Sequence, residues 1–95
     1  MIVRLVKMTF QKDKVNDFLA LFDEVFPVIK SFDGCVELKL LRDTNEVNVL
    51  MTYSIWQSEK DLDHYRFSEF FKHTWSKTKV LFESKAEARS FKIVA

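Results

Sequence analysis

The sequence is short of chain breakers. Its 95 residues hold one glycine, Gly34, and one proline, Pro27. Little room is left for long loops or linkers, so residues 1–95 read as a single domain. Cysteine is nearly missing too. Cys35 has no second thiol to pair with, which rules out an internal disulfide and suits a reducing compartment. A surplus of either charge is also lacking: 15 basic residues against 14 acidic ones leave a net charge of +1. That balance offers no electrostatic hold on nucleic acid or on an anionic membrane. The longest apolar run, Phe18–Phe22, falls far short of the roughly 20 residues that cross a bilayer. The first residues look like a strand and not like a signal-peptide core. Together these absences predict a soluble, cytoplasmic protein.

Apolar side chains, by contrast, are plentiful. Hydrophobic residues make up 47% of the chain and aromatic residues 15%. A domain of this size buries only about two-thirds of its unfolded surface. The excess needs a second place to go, and a subunit interface is the natural one.

Periodicity divides the chain. Ile2–Phe10 is rich in β-branched and apolar residues and reads as a strand. Asp13 is a candidate N-cap for a helix whose apolar residues are Val15, Phe18, Leu19, Phe22, Val25, Phe26 and Ile29. That is the i, i+3, i+4, i+7 pattern of an amphipathic helix. Pro27 should kink its last turns or end it early. Asp33-Gly34 marks a turn. Val36, Leu38 and Leu40 alternate with Glu37 and Lys39 in a second strand, and 43–46 forms a hairpin connection to a third strand over 47–56. One face of that third strand carries Val47, Val49, Met51, Tyr53 and Ile55; the other carries Asn48, Leu50, Thr52, Ser54 and Trp56.

Both tryptophans and both histidines fall between Trp56 and Phe82. Ser58 can cap a short helix, with Glu59 and Asp61 favoured by the helix dipole. Ser68-Glu69 repeats the signal, which predicts a break near Phe67 and a longer helix reaching about Ser84. On that second helix Phe67, Phe70, Phe71, Thr74, Thr78 and Leu81 share one face. Glu87–Val94 is then the last strand.

The order strand, helix, strand, strand, helix, strand predicts an α+β, ferredoxin-like split with an antiparallel sheet and both helices on one face. The other sheet face is uncovered. With Leu50 and Trp56 placed there, two such sheets packed face to face would bury both, which predicts a homodimer.

Element order and length, with Trp56-x-Ser58-Glu59, Tyr65-Arg66-x-Ser68, Phe71 and Trp75, resemble the antibiotic-biosynthesis-monooxygenase-like family of dimeric α+β barrels. The resemblance implies a barrel shared by two subunits and a pocket between helices and sheet in each. It implies cofactor-independent monooxygenation of a phenol- or quinol-like aromatic as one activity, with no cofactor, and haem degradation as another. On the alignment at Trp56-x-Ser58, the haem-degrading branch's Asn, Trp and iron-binding His fall on Val6, Tyr65 and Trp75, so axial histidine ligation of haem is not expected. In the quinol-oxidising branch the position of Tyr65 is often His; here the histidine is His64, one residue earlier.

A cofactor-free oxygenase needs an electron-rich substrate, a base and a dry pocket. Helical rotation turns His64 and His73 away from the inward faces and toward solvent. Their separation of nine residues does not suit metal ligands on one helix face, and no metal site is expected. Cys35 has no cationic neighbour in sequence to activate it and reads as an inert thiol. The inward polar groups are Tyr65, Thr74, Thr78, the Trp75 indole and Tyr53. These residues can simply fill a core with local hydrogen bonds. Together with Phe71 they can instead line a pocket for a flat aromatic molecule, with Tyr65 as the candidate catalytic group. Two functions remain: a small cofactor-independent monooxygenase, or a non-catalytic dimeric module that binds a small hydrophobic molecule. An RNA-recognition reading fails because the third strand offers Asn48, Leu50, Thr52 and Ser54 in place of exposed aromatics.

Overall fold

Strand parity on Ile2–Phe10 fixes the architecture. In the computed structural model, which describes all 95 residues, the elements run β1 (Ile2–Phe10), a 3-10 turn (Lys12–Lys14), α1 (Val15–Lys30), β2 (Cys35–Arg42), β3 (Val49–Trp56), α2 (Glu59–Arg66), α3 (Glu69–Lys79) and β4 (Phe82–Lys92). The sheet order is β2-β3-β1-β4, with every neighbouring pair antiparallel. This is the expected ferredoxin-like split. No helix is long and apolar enough to cross a membrane.

Even-numbered residues of β1 face the helices. Ile2, Met8 and Phe10 are buried there with Val15, Phe18, Phe22 and Ile29 of α1. The Phe10 ring stacks on Phe18 at 4.3 Å and meets Phe82 at 5.3 Å, so one aromatic column ties β1 to α1 and β4. Phe18 and Phe22 continue it along α1, 5.8 Å apart.

The register of β3 against β1 corrects the face assignment of the third strand. Leu50 pairs with Met8, and Trp56 pairs with Ile2, so both lie under the helices and not on the open face. Leu50 is 2% exposed and Trp56 0%. The Trp56 indole N–H donates to Ser54 Oγ at 3.0 Å, which satisfies the donor inside the core. Val49, Met51, Tyr53 and Ile55 take the opposite face, paired with Thr9, Lys7, Leu5 and Val3. The open face therefore carries the apolar Val3, Leu5, Met51, Tyr53 and Ile55 on its central strands, with Leu41 and Phe91 exposed at 43% and 45%, and the charged Lys7, Glu37, Lys39, Glu87 and Arg89 share it.

Both serine caps form. Ser58 Oγ accepts from the Asp61 amide at 3.1 Å and Ser68 Oγ from the Phe71 amide at 3.1 Å. Asp13 does not cap; it lies inside the 3-10 turn, and α1 begins from Lys14 without a side-chain cap. Pro27 does not end α1, which runs on to Lys30. The third strand starts at Val49 and not Val47, because Asn48 turns inward and its amide donates to the Phe10 carbonyl at 2.9 Å. Phe67, expected inward, is 62% exposed at the α2–α3 break, with the Arg66 guanidinium 4.6 Å above its ring.

The end of α3 is also earlier than periodicity suggests, at Lys79, and β4 begins at Phe82 in place of Glu87. The cause is tertiary. The Gln11 amide donates to the Leu81 carbonyl at 3.0 Å, and its side chain reaches the Val80 and Phe82 carbonyls at 3.4 Å each. Phe82 pairs with Phe10 across the sheet. These bonds draw residues 80–82 out of the helix.

Gly34 has φ of +79°, and a Cβ there would run into the Asp61 side chain. Gly34→Ala is therefore expected to destabilise by at least about 1–2 kcal/mol from the backbone conformation alone. Urea unfolding with an unchanged midpoint would show that this turn relaxes freely.

Candidate functional site

A cavity of about 230 Å³ lies between the helices and the sheet. Its floor is the helix-facing side of the sheet: Arg4, Val6 and Met8 of β1, Leu38 of β2, Thr52 and Ser54 of β3, and Ala88 of β4. Its roof comes from Phe22 and Val25 of α1, Leu62, Tyr65 and Arg66 of α2, and Phe71, Thr74, Trp75 and Thr78 of α3. Engineered apolar cavities of about 150 Å³ already hold a benzene ring. This one has room for a small aromatic molecule.

Five of the six residues picked from the sequence meet here: Tyr65, Phe71, Thr74, Trp75 and Thr78. The sixth, Tyr53, does not. It pairs with Leu5 and Lys39 on the open face, because β3 places its odd-numbered residues away from the helices. The Phe71 and Trp75 rings stack at 5.7 Å, 12° from parallel, one helical turn apart on α3. They present a flat aromatic surface. Thr78 donates its hydroxyl to the Thr74 carbonyl at 2.8 Å, so that donor is used within the helix.

Tyr65 is clamped by three rings. It stacks on Trp56 at 5.1 Å and meets Phe32 and Phe71 edge-on at 5.1 and 5.2 Å. Burial raises its phenol well above the ordinary tyrosine range, and the nearby Cys35 adds to the shift. At neutral pH Tyr65 is thus a hydrogen-bond donor and not a base. Cys35 is itself shifted up by burial, with Lys30 pulling the other way, which fits an unreactive thiol. His64 and His73 are exposed, as expected, and neither lines the cavity.

Sequence reasoning missed the two arginines. Arg4 sits on the even, inward parity of β1, between Ile2 and Val6. A cation on an otherwise apolar inward face is a signal that parity alone could have shown. Burial lowers the Arg4 pKa, the Arg66 charge pushes the same way, and Asp63 opposes. Arg66 Nε donates to Asp63 Oδ1 at 2.7 Å.

This geometry has relatives. A curated protein of Synechocystis, described as uncharacterized, is 26% identical over 81 residues, which cover 85% of this chain and 55% of that protein. The chain thus spans about half that relative's length. Among solved structures, one of an antibiotic biosynthesis monooxygenase superposes with a TM-score of 0.92 at 14% identity, covering 100% of both chains. A conserved protein from Methanosarcina mazei gives 0.90 at 19% identity, covering 97% of this chain and 92% of its own. A protein from Mycobacterium tuberculosis gives 0.90 at 16%, covering 99% and 95%. At such identities these superpositions establish the fold. The sequence match is what reaches further: residues 1–76, from β1 into α3 and so through Tyr65, Phe71 and Trp75, fit one family, and the chain belongs to the antibiotic biosynthesis monooxygenase family.

Proposed function

We propose that this protein is a cofactor-independent monooxygenase acting on a small aromatic substrate of the phenol or quinol type. The observation that carries the reading is the cavity, with its stacked Phe71–Trp75 surface and the clamped phenol of Tyr65 beside it. Family membership and a solved neighbour described as an antibiotic biosynthesis monooxygenase support it. The aromatic walls take a flat ring and keep water from it. The Tyr65 hydroxyl donates to a substrate oxygen and stabilises the charge that develops there as the substrate proton leaves to solvent. The substrate supplies all four electrons. One oxygen atom of dioxygen replaces a ring hydrogen, the quinol becomes a quinone, and the other oxygen leaves as water.

1,4-Naphthohydroquinone is a suitable probe. Its conversion should consume one dioxygen per 2-hydroxy-1,4-naphthoquinone formed, faster than autoxidation. An oxygen electrode trace no steeper than the protein-free control would sink the enzymatic reading. One observation favours the alternative, a non-catalytic dimeric binding module. The titratable groups on the wall are Arg4, Arg66 and Tyr65, none of which is a base at neutral pH. Saturable binding of the hydroquinone without oxygen uptake would select that module.

The active unit in this proposal is a homodimer. Val3, Leu5, Met51, Tyr53, Ile55 and Phe91 give the open sheet face an apolar patch suited to a second sheet, flanked by Lys7, Glu37, Lys39, Glu87 and Arg89. Sedimentation equilibrium at micromolar concentration should give twice the monomer mass of 11.3 kDa; a monomer alone would exclude it.

A further inference from the structure

Two of the cavity's lining residues carry charge, and both are arginines. Arg4 rises from the central strand β1 and Arg66 descends from α2, so sheet and helix layer each contribute one guanidinium. Each is partly engaged. Arg4 Nη1 donates to Ser90 Oγ at 3.0 Å, Arg66 Nε donates to Asp63 at 2.7 Å, and the face of the Arg66 guanidinium rests over the Phe67 ring, which leaves its remaining edge N–H groups unused. A guanidinium has five N–H donors, so most remain free on both. Asp63 is the acid that faces the pair, and one carboxylate cannot balance two cations. The two positive groups lie close enough to disfavour each other, while the rest of the wall is mainly hydrocarbon and aromatic. Both keep contact with solvent, which screens their repulsion, and an anion bound between them would relieve what remains.

We infer that the ligand of this site is an aromatic acid: a flat ring system in the cavity whose carboxylate is taken up between Arg4 and Arg66. This rests on the small-aromatic reading above and narrows it to substrates that carry an anionic group in addition to the ring that reacts. Arginine suits the task, because its planar fork matches a carboxylate with two parallel hydrogen bonds. The carboxylate would fix which end of the ring points to Tyr65, since its oxygens meet cationic donors only at the arginine side. Orientation and affinity then come from one contact.

The test compares 2-naphthoate with its methyl ester, by quenching of tryptophan fluorescence in the unmodified protein at neutral pH and low salt. Trp75 on the wall is the reporter. The acid is expected to bind at least about tenfold more tightly than the ester, a difference of about 1.4 kcal/mol. The ratio should shrink toward one in Arg4→Gln and in Arg66→Gln, and also as ionic strength rises. The comparison in the unmodified protein stands even if one variant folds poorly. Equal binding of acid and ester would overturn the inference and leave the aromatic cavity intact. Binding of neither would overturn the cavity reading as well. A preference for the acid that survives in both folded variants would place the carboxylate elsewhere and equally overturn the assignment.

Discussion

Phe10→Ala is expected to cost about 3–5 kcal/mol of folding free energy, the upper class for a buried aromatic truncated to a methyl group. Phe10 is 0% exposed and lies where three elements meet. Its ring contacts Phe18 of α1 and Phe82 of β4, and its main chain exchanges bonds with Asn48 at the start of β3. Removing the ring leaves a hole that none of these neighbours can fill without breaking its own hydrogen bonds or packing. Phe22 offers the contrast. It is 8% exposed and already borders the cavity, so Phe22→Ala widens an existing void and should fall at or below about 3 kcal/mol. Urea unfolding of the two variants measures the difference. A loss below about 1 kcal/mol for Phe10→Ala would show that the aromatic column is not the centre of the core.

Tyr65→Phe should retain the fold and lower turnover of a quinol substrate by roughly one to two orders of magnitude, the scale of losing one positioned donor to a developing charge. The ring contacts to Trp56, Phe32 and Phe71 remain in the variant, so packing and chemistry separate. Unchanged turnover in the folded variant would reduce Tyr65 to a pocket wall. The same substitution has a pH signature. Burial raises the folded-state pKa of Tyr65 above its unfolded value. Its contribution to stability is then fully present below about pH 10, the unfolded tyrosine value, and is lost as pH rises beyond it, because only the unfolded chain can ionise easily there. Stability of the unmodified protein should therefore fall more steeply above about pH 10 than that of Tyr65→Phe. Parallel curves would mean that the phenol is solvated.

Much of the site is legible in the sequence. The helical period placed Phe71, Thr74 and Thr78 together on α3, Trp75 was read as an inward polar group beside them, and the Ser58 and Ser68 caps fixed where the two helices begin, which brings Tyr65 over the same space. Local rules suffice there because a cap and a 3.6-residue period act within one element. Arg4 was also within reach, through its parity on β1.

The sequence alone determined the element order, the inward face of α1, the caps of α2 and α3, and the outward placement of His64 and His73. Only the tertiary structure decided which face of β3 meets the helices, where α3 gives way to β4, and that two arginines look into one cavity. The reason is physical. Alternation along a strand defines two faces but not their destinations, and β3 is apolar enough on both to suit either. Its register against β1 settled the matter, burying Leu50 and Trp56 and sending Tyr53 outward. The end of α3 was likewise set by Gln11 and Phe10, some seventy residues away in the chain, whose bonds to residues 80–82 no local propensity encodes.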